Sequence, residues 1–91
     1  NKRSITEIKT VSFGRVACIE VGALNVGSII QTYVPGTVIR GHEKGYFQFG
    51  GSTIVLLFSP NSILFDDDLL TDSSNGVEVH VSAGETIGRK Y

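Results

Sequence analysis

The stretch EKGYFQFGGSTIVLLF, Glu43 to Phe58, sets an aromatic run against an apolar block and parts them with Gly50-Gly51-Ser52-Thr53. Before the break, alternation puts Phe47 and Phe49 on one face and Tyr46 and Gln48 on the other, which is a strand signal. After the break, TIVLLF is apolar without alternation and predicts a strand buried on both faces, Ile54 to Phe58 included. Glycines alone would suit a surface loop. A polar stop this short, this deep in hydrophobic sequence and ending in a serine, asks for a further reason.

The rest of the chain repeats the pattern of short runs and tight turns. Eleven glycines punctuate almost every apolar run. RVACIEV (Arg15 to Val21) is rich in β-branched and small apolar residues. GSIIQTYV (Gly27 to Val34) alternates, with Ile29, Gln31 and Tyr33 opposite Ile30, Thr32 and Val34. Pro35-Gly36 suits a turn, because Pro presets φ and Gly accepts a positive φ. Pro60 to Ser62 reads as a turn and Ile63 to Phe65 as a short strand. Asp66 to Gly76 is the one place for a helical turn, with acidic residues at its start where they suit the helix dipole. VEVHV predicts a strand with Val77, Val79 and Val81 inward and Glu78 and His80 outward. No segment sustains a helical apolar period. The expectation is an all-β fold: a compact sandwich of short strands, with at most one short helical turn near 66–73. The valine–glycine rhythm shared by VPGTVIRGHEKGYF and VSAGETIGRKY is similar to the barrel-sandwich hybrid of lipoyl and biotinyl carrier domains.

Composition narrows the function classes. A chain of 91 residues with 41% hydrophobic and 19% charged residues reads as a single globular domain. A net charge of −1 gives no electrostatic footprint for nucleic acid. No apolar run approaches the roughly 20 residues of a spanning helix. The lone cysteine, Cys18, excludes an internal disulfide and reads as a buried structural thiol. The absence of methionine, even at position 1, leads us to expect a chain cut from something longer.

Ser52 carries the chemistry. A serine after glycine can attack the preceding carbonyl, that of Gly51, on three conditions. The backbone must bend unusually, which Gly50 and Gly51 permit. A base must activate the hydroxyl. Donors must hold the oxyanion. The product is an ester in place of the peptide bond. β-Elimination frees the upstream carboxylate and leaves a dehydroalanine, and hydrolysis with loss of ammonia leaves a pyruvoyl group. Such a group accepts an amine substrate and serves as an electron sink for decarboxylation. Rigid flanking strands would hold the scissile bond and keep water away. Gly-Gly-Ser read alone is equally an ordinary turn.

The wider sequence adds to this. NKRSIT at the start, FGRVACIEVGALNVGSI (Phe13 to Ile29), EKGYFQFGGST (Glu43 to Thr53) and FDDDLL (Phe65 to Leu70) occur in this order and spacing. The sequence thereby resembles the C-terminal portion of the phosphatidylserine decarboxylases, nearly end to end. The resemblance implies self-cleavage between Gly51 and Ser52. Residues 1–51 would close the β chain, and 52–91 would form the α chain with a pyruvoyl cofactor made from Ser52, supported by Gly50 and Thr53. It implies a carboxy-lyase that turns phosphatidylserine into phosphatidylethanolamine and CO2. An upstream β-chain region would supply an Asp and a His that act with the serine. Further segments would meet a membrane surface, bacterial, mitochondrial or endomembrane. No metal is implied, and a homo-oligomer stays open. His42 stands where the family commonly has an acidic residue, and His80 where an apolar one is usual. Neither matches a functional motif, so the 91-residue chain is expected to be unprocessed and inactive alone.

The other polar residues have plainer readings. Asp66, Asp67 and Asp68 suit a helix start better than a cation site, since consecutive side chains do not converge on one ion from an extended strand. Lys44 is comparable with the modified lysine of a carrier domain, but its place before the aromatic strand favours a solvated lysine. His42 reads as part of a solvated turn, Glu78 and His80 as a weak surface pair, and Tyr46, Phe47 and Phe49 as core or cleft wall. Two other functions compete: a pyruvoyl-dependent decarboxylase of a soluble amino acid, and a non-catalytic β-sandwich carrier or interaction module.

Overall fold

A computed structural model describes residues 3–22, 29–48 and 52–91. The elements are β1 (Arg3–Thr10), β2 (Gly14–Val21), β3 (Ile29–Gln31), β4 (Gly45–Phe47), β5 (Thr53–Phe58), β6 (Ile63–Phe65), α1 (Asp67–Ser74) and β7 (Gly88–Lys90). The all-β expectation holds, with the single helix where the acidic cluster placed it. The strands form three small open sheets, ordered β1-β2-β5, β3-β4 and β6-β7. The chain divides into two compact units, Asn1–Ile8 with Ala17–Leu57, and Lys9–Val16 with Phe58–Tyr91.

In the first unit, β2 supplies the covered face. Cys18 and Glu20 are buried on it at the strand's period of two. β1 has no counterpart among the sequence expectations. Its half-covered positions are Ser4, Thr6, Ile8 and Thr10, while Ile5 is exposed, so hydropathy and burial do not alternate together. β3 and β4 pair antiparallel in the register Ile29↔Phe47, Ile30↔Tyr46, Gln31↔Gly45. The strand expected through Val34 stops at Gln31 because Thr32 N–H and Tyr33 N–H both donate to the Lys44 carbonyl, at 2.9 and 3.2 Å. Two residues facing one is the bonding of a β-bulge, and the ladder ends there.

Two expectations are corrected. β5 is a strand, but it is not buried. Ile54, Val55, Leu56 and Leu57 are exposed and only Phe58 is half-covered. β5 is a terminal strand of its sheet, so a neighbouring strand flanks one side only among the described residues. VEVHV is not a strand. Val77 and Val81 are exposed, and no ladder is formed there among the described residues. Its first residue belongs to the end of α1: Val77 N–H donates to the Asp72 carbonyl at 2.8 Å and Gly76 N–H to Ser73 at 3.0 Å, with Gly76 at φ 73°. This is a Schellman closure, which satisfies carbonyls the helix leaves open. Alternation without a partner strand does not make a strand.

In the second unit, β6 and β7 pair antiparallel in the register Ile63↔Lys90, Leu64↔Arg89, Phe65↔Gly88. Phe58 meets Phe13 and Phe65 edge-to-face, with centroids 6.1 and 5.7 Å apart. That geometry sets each ring's positive edge against a negative face. Asp66 is the N-cap of α1, and Asp67 and Asp68 lie in its first turn, as the helix-start reading requires.

At Gly45 the backbone of β3 leaves no room for a side chain. A Cβ there would run into the Ile30 carbonyl oxygen and crowd Gln31 Cα at 3.1 Å. Backbone must move to admit it. Gly45→Ala is expected to lower the unfolding free energy by about 1–3 kcal/mol, the usual cost of overpacking, read as a lower midpoint in a urea titration with an unchanged slope.

Candidate functional site

Ser52 is exposed and immediately precedes β5, whose first residue is Thr53, also exposed. Gly50 and Gly51, the expected bend and scissile carbonyl, lie outside the described residues, as does Phe49. The segments on either side belong to different sheets. β4, upstream, pairs with β3, whereas β5, downstream, pairs with β2. The serine thus stands between a strand of one sheet and a strand of another.

Residues of the aromatic run divide. Phe47 is half-buried, whereas Tyr46 is exposed, so Tyr46 is surface and not core. His42 is exposed, and its N–H donates to the Ile39 carbonyl at 3.1 Å beside Gly41 at φ 88°, which is the solvated turn expected. His80 is exposed outside any strand, so the shared strand face proposed for Glu78 and His80 does not exist.

The buried polar group among the described residues is one that sequence reasoning missed. Glu20 is buried on β2. Lys44 Nζ donates to Glu20 Oε1 at 2.6 Å and to Gln31 Oε1 at 2.9 Å. Gln31 Nε2 donates to the same Glu20 oxygen at 2.8 Å and to Ser4 Oγ at 3.3 Å. The ammonium also lies 5.0 Å from the centroid of Tyr33, within cation–π range. Lys44 is therefore not the solvated lysine expected from its position. It closes a cluster drawn from β1, β2 and β3 and the residue before β4. Beside it, Thr32 Oγ1 donates to Glu43 Oε2 at 2.6 Å. The only hint in the sequence was the acid within RVACIEV, four residues after Val16 on the same strand face.

Charge state follows from these contacts. Burial pushes the Glu20 pKa up, but the hydrogen bonds from Lys44 and Gln31 and the Lys44 charge outweigh it, and the carboxyl titrates below the usual range. Burial pushes the Cys18 thiol up, the Glu20 charge adds to this, and the Lys44 charge partly offsets it. A thiol so placed stays protonated and inert, in keeping with a structural Cys18.

A family model described as phosphatidylserine decarboxylase matches residues 1–89. A phosphatidylserine decarboxylase proenzyme of Chlamydia muridarum is 52% identical over the whole of this chain and 31% of its own length. One from Chlamydia trachomatis serovar L2 is 53% identical over the same shares. One from Ruminiclostridium cellulolyticum is 55% identical over 97% of this chain and 30% of its own. The chain thus spans about a third of the length of these curated relatives. No solved structure matches it. No helix among the described residues is long and apolar enough to cross a membrane.

The depressed Glu20 pKa has a signed consequence. Its contribution to stability is present above the unfolded carboxyl value of about 4.3 and is lost as pH falls through the lower folded value. Glu20→Gln, which does not titrate, is expected to be less stable at neutral pH and to lose less on acidification. Lys44→Met, which leaves a buried carboxylate without its cation, is expected to cost about 1–3 kcal/mol at pH 7. Denaturant midpoints measured from pH 7 to pH 3 check both.

Proposed function

Because this chain belongs to the phosphatidylserine decarboxylase family, we propose that it carries the self-cleavage site of a pyruvoyl-dependent carboxy-lyase that converts phosphatidylserine to phosphatidylethanolamine and CO2. The observation that carries the reading is Ser52 itself: an exposed serine at the start of β5, preceded by two glycines, within the matched residues. The division we propose falls at this bond, residues 1–51 ending the β chain and 52–91 forming the α chain.

The residues present fit this role. The precursor of a pyruvoyl group must be a side chain that can leave from Cβ after acyl transfer, and serine is one. Ser52 Oγ attacks the Gly51 carbonyl carbon, and the Ser52 nitrogen leaves as an amine, so the peptide becomes an ester. Loss of the Ser52 Cα proton then expels the Gly51 carboxylate. Water replaces the nitrogen of the resulting enamine, and ammonia departs. The small residues before Ser52 let the chain bend toward its own hydroxyl without a Cβ clash. Thr53 anchors the downstream side in the β5 ladder. The pyruvoyl group, once formed, supplies the electron sink for loss of CO2 from an amine-bearing substrate.

A serine hydroxyl is a poor nucleophile until a base takes its proton, and a positioned base contributes about 10²–10⁴ in rate. The base we propose is a His, oriented by an Asp, in a β-chain region beyond these residues. Backbone strain of about 1–3 kcal/mol would not replace it. A lipid substrate also calls for association with a membrane surface, which we assign to further chain of the same enzyme.

Two outcomes check the reading. In a proenzyme of the relatives' length carrying this sequence, intact mass spectrometry should show scission between Gly51 and Ser52 and a pyruvoyl-blocked chain starting at residue 52. Ser52→Ala should leave that protein whole. The 91-residue chain by itself should also stay whole over days. Release of a blocked Ser52–Tyr91 peptide from it would show the separate base to be dispensable.

A further inference from the structure

The scissile bond proposed above has two arms, and both are referred to one strand. Downstream, Thr53 opens β5, which lies beside β2 in the sheet. Upstream, β4 ends at Phe47 and belongs to another sheet, so no ladder ties it to β2 among the described residues. What ties it is a set of side chains. Lys44, the residue before β4, reaches Glu20 of β2 at 2.6 Å, and Gln31 of β3 reaches the same carboxylate oxygen at 2.8 Å. The bulge reinforces this, since Thr32 and Tyr33 N–H both hold the Lys44 carbonyl. Lys44 is thus held by its backbone to β3 and by its side chain to β2. An ammonium–carboxylate pair at this distance and this burial is short, directional and little screened by solvent.

We propose that Glu20, Lys44 and Gln31 form a positioning cluster for self-cleavage, which fixes the upstream arm of the Gly51–Ser52 bond against β2, the strand beside the downstream arm. The inference rests on the cleavage reading given under Proposed function. None of the three residues touches the reacting atoms in this account. They act through the backbone, by setting where β4 delivers the chain relative to β5. Acyl transfer within a chain is sensitive to such placement, and a shift of about 1 Å can cost about 100-fold.

The test uses the proenzyme of the relatives' length carrying this sequence, made by cell-free translation and chased in time. Gel separation follows scission, and resistance to a protease follows folding in the same samples. Glu20→Gln keeps the shape and removes the charge, and it is expected to slow scission of the protease-resistant chain about 10- to 100-fold. Lys44→Met should do the same, and Lys44→Arg, which restores a cation able to reach both Glu20 and Gln31, should recover a rate within about threefold of the parent. A role in stability alone would lower protease resistance in Glu20→Gln while leaving the scission rate of the folded fraction unchanged, and that result would overturn the proposal. Should Lys44→Met fail to fold, the isosteric Glu20→Gln decides by itself. A parent chain that folds but stays whole would overturn the cleavage reading, and this inference with it.

Discussion

A buried carboxylate is the constraint around which the first unit is arranged. Glu20 sits on the covered face of β2 beside Cys18, where an unpaired charge would cost several kcal/mol. It is tolerable only because Lys44 and Gln31 both reach it. That requirement fixes more than two side chains. Lys44 must lie over β2, so the chain before β4 must pass there. Gln31 must face it, which places the last residue of β3, and Ser4 of β1 joins through the Gln31 amide. Removing Lys44 leaves a buried carboxylate without its cation. Apolar packing alone would not select one register so sharply, since neighbouring apolar side chains can exchange places at little cost.

The hydrophobic content of the chain is placed less economically. After Thr53, β5 is apolar throughout, yet Ile54 to Leu57 are all exposed. A strand of this kind at a sheet's edge is a surface that favours further association. The second unit relies instead on three aromatic rings meeting edge-to-face and on a helix closed at its C-terminal end by Gly76 and Val77. Each unit therefore uses a device that needs few residues, a charge cluster in one and ring contacts in the other.

Much of this was legible in the sequence. The glycine punctuation foretold short strands, the acidic run foretold where the helix starts, and FGGST together with the flanking motifs identified the family. What was not legible has physical reasons. Alternation in VEVHV reports a preference for two faces, but a strand also needs a partner, and none is present among the described residues. Uniform apolarity in TIVLLF reports what the strand would like to bury, and burial depends on what is available to cover it. Arg3–Thr10 escaped notice because serine and threonine occupy three of its four half-covered positions, Ser4, Thr6 and Thr10, while Ile5 faces out. Glu20 and Lys44 escaped because each reads alone as solvent-facing. Their meaning arises only when a separation of 24 residues in sequence becomes 2.6 Å in space.

Ser52 lies between strands of two different sheets. A peptide bond inside a regular ladder is held by its neighbours in an extended geometry that keeps its own side chain away from the preceding carbonyl. A bond in a free loop samples many geometries and spends little time in any one of them. Between β4 and β5 the chain changes sheets across a few residues, two of them glycine, with each end held against β2 by a different device. For a serine proposed to attack its own preceding carbonyl, ends held in this way would lower the entropy cost of that attack. On the proposed reading the buried ion pair and the bond before Ser52 belong to one arrangement, in which the hydrogen bonds that offset the desolvation of Glu20 also place the chain that leads toward the serine.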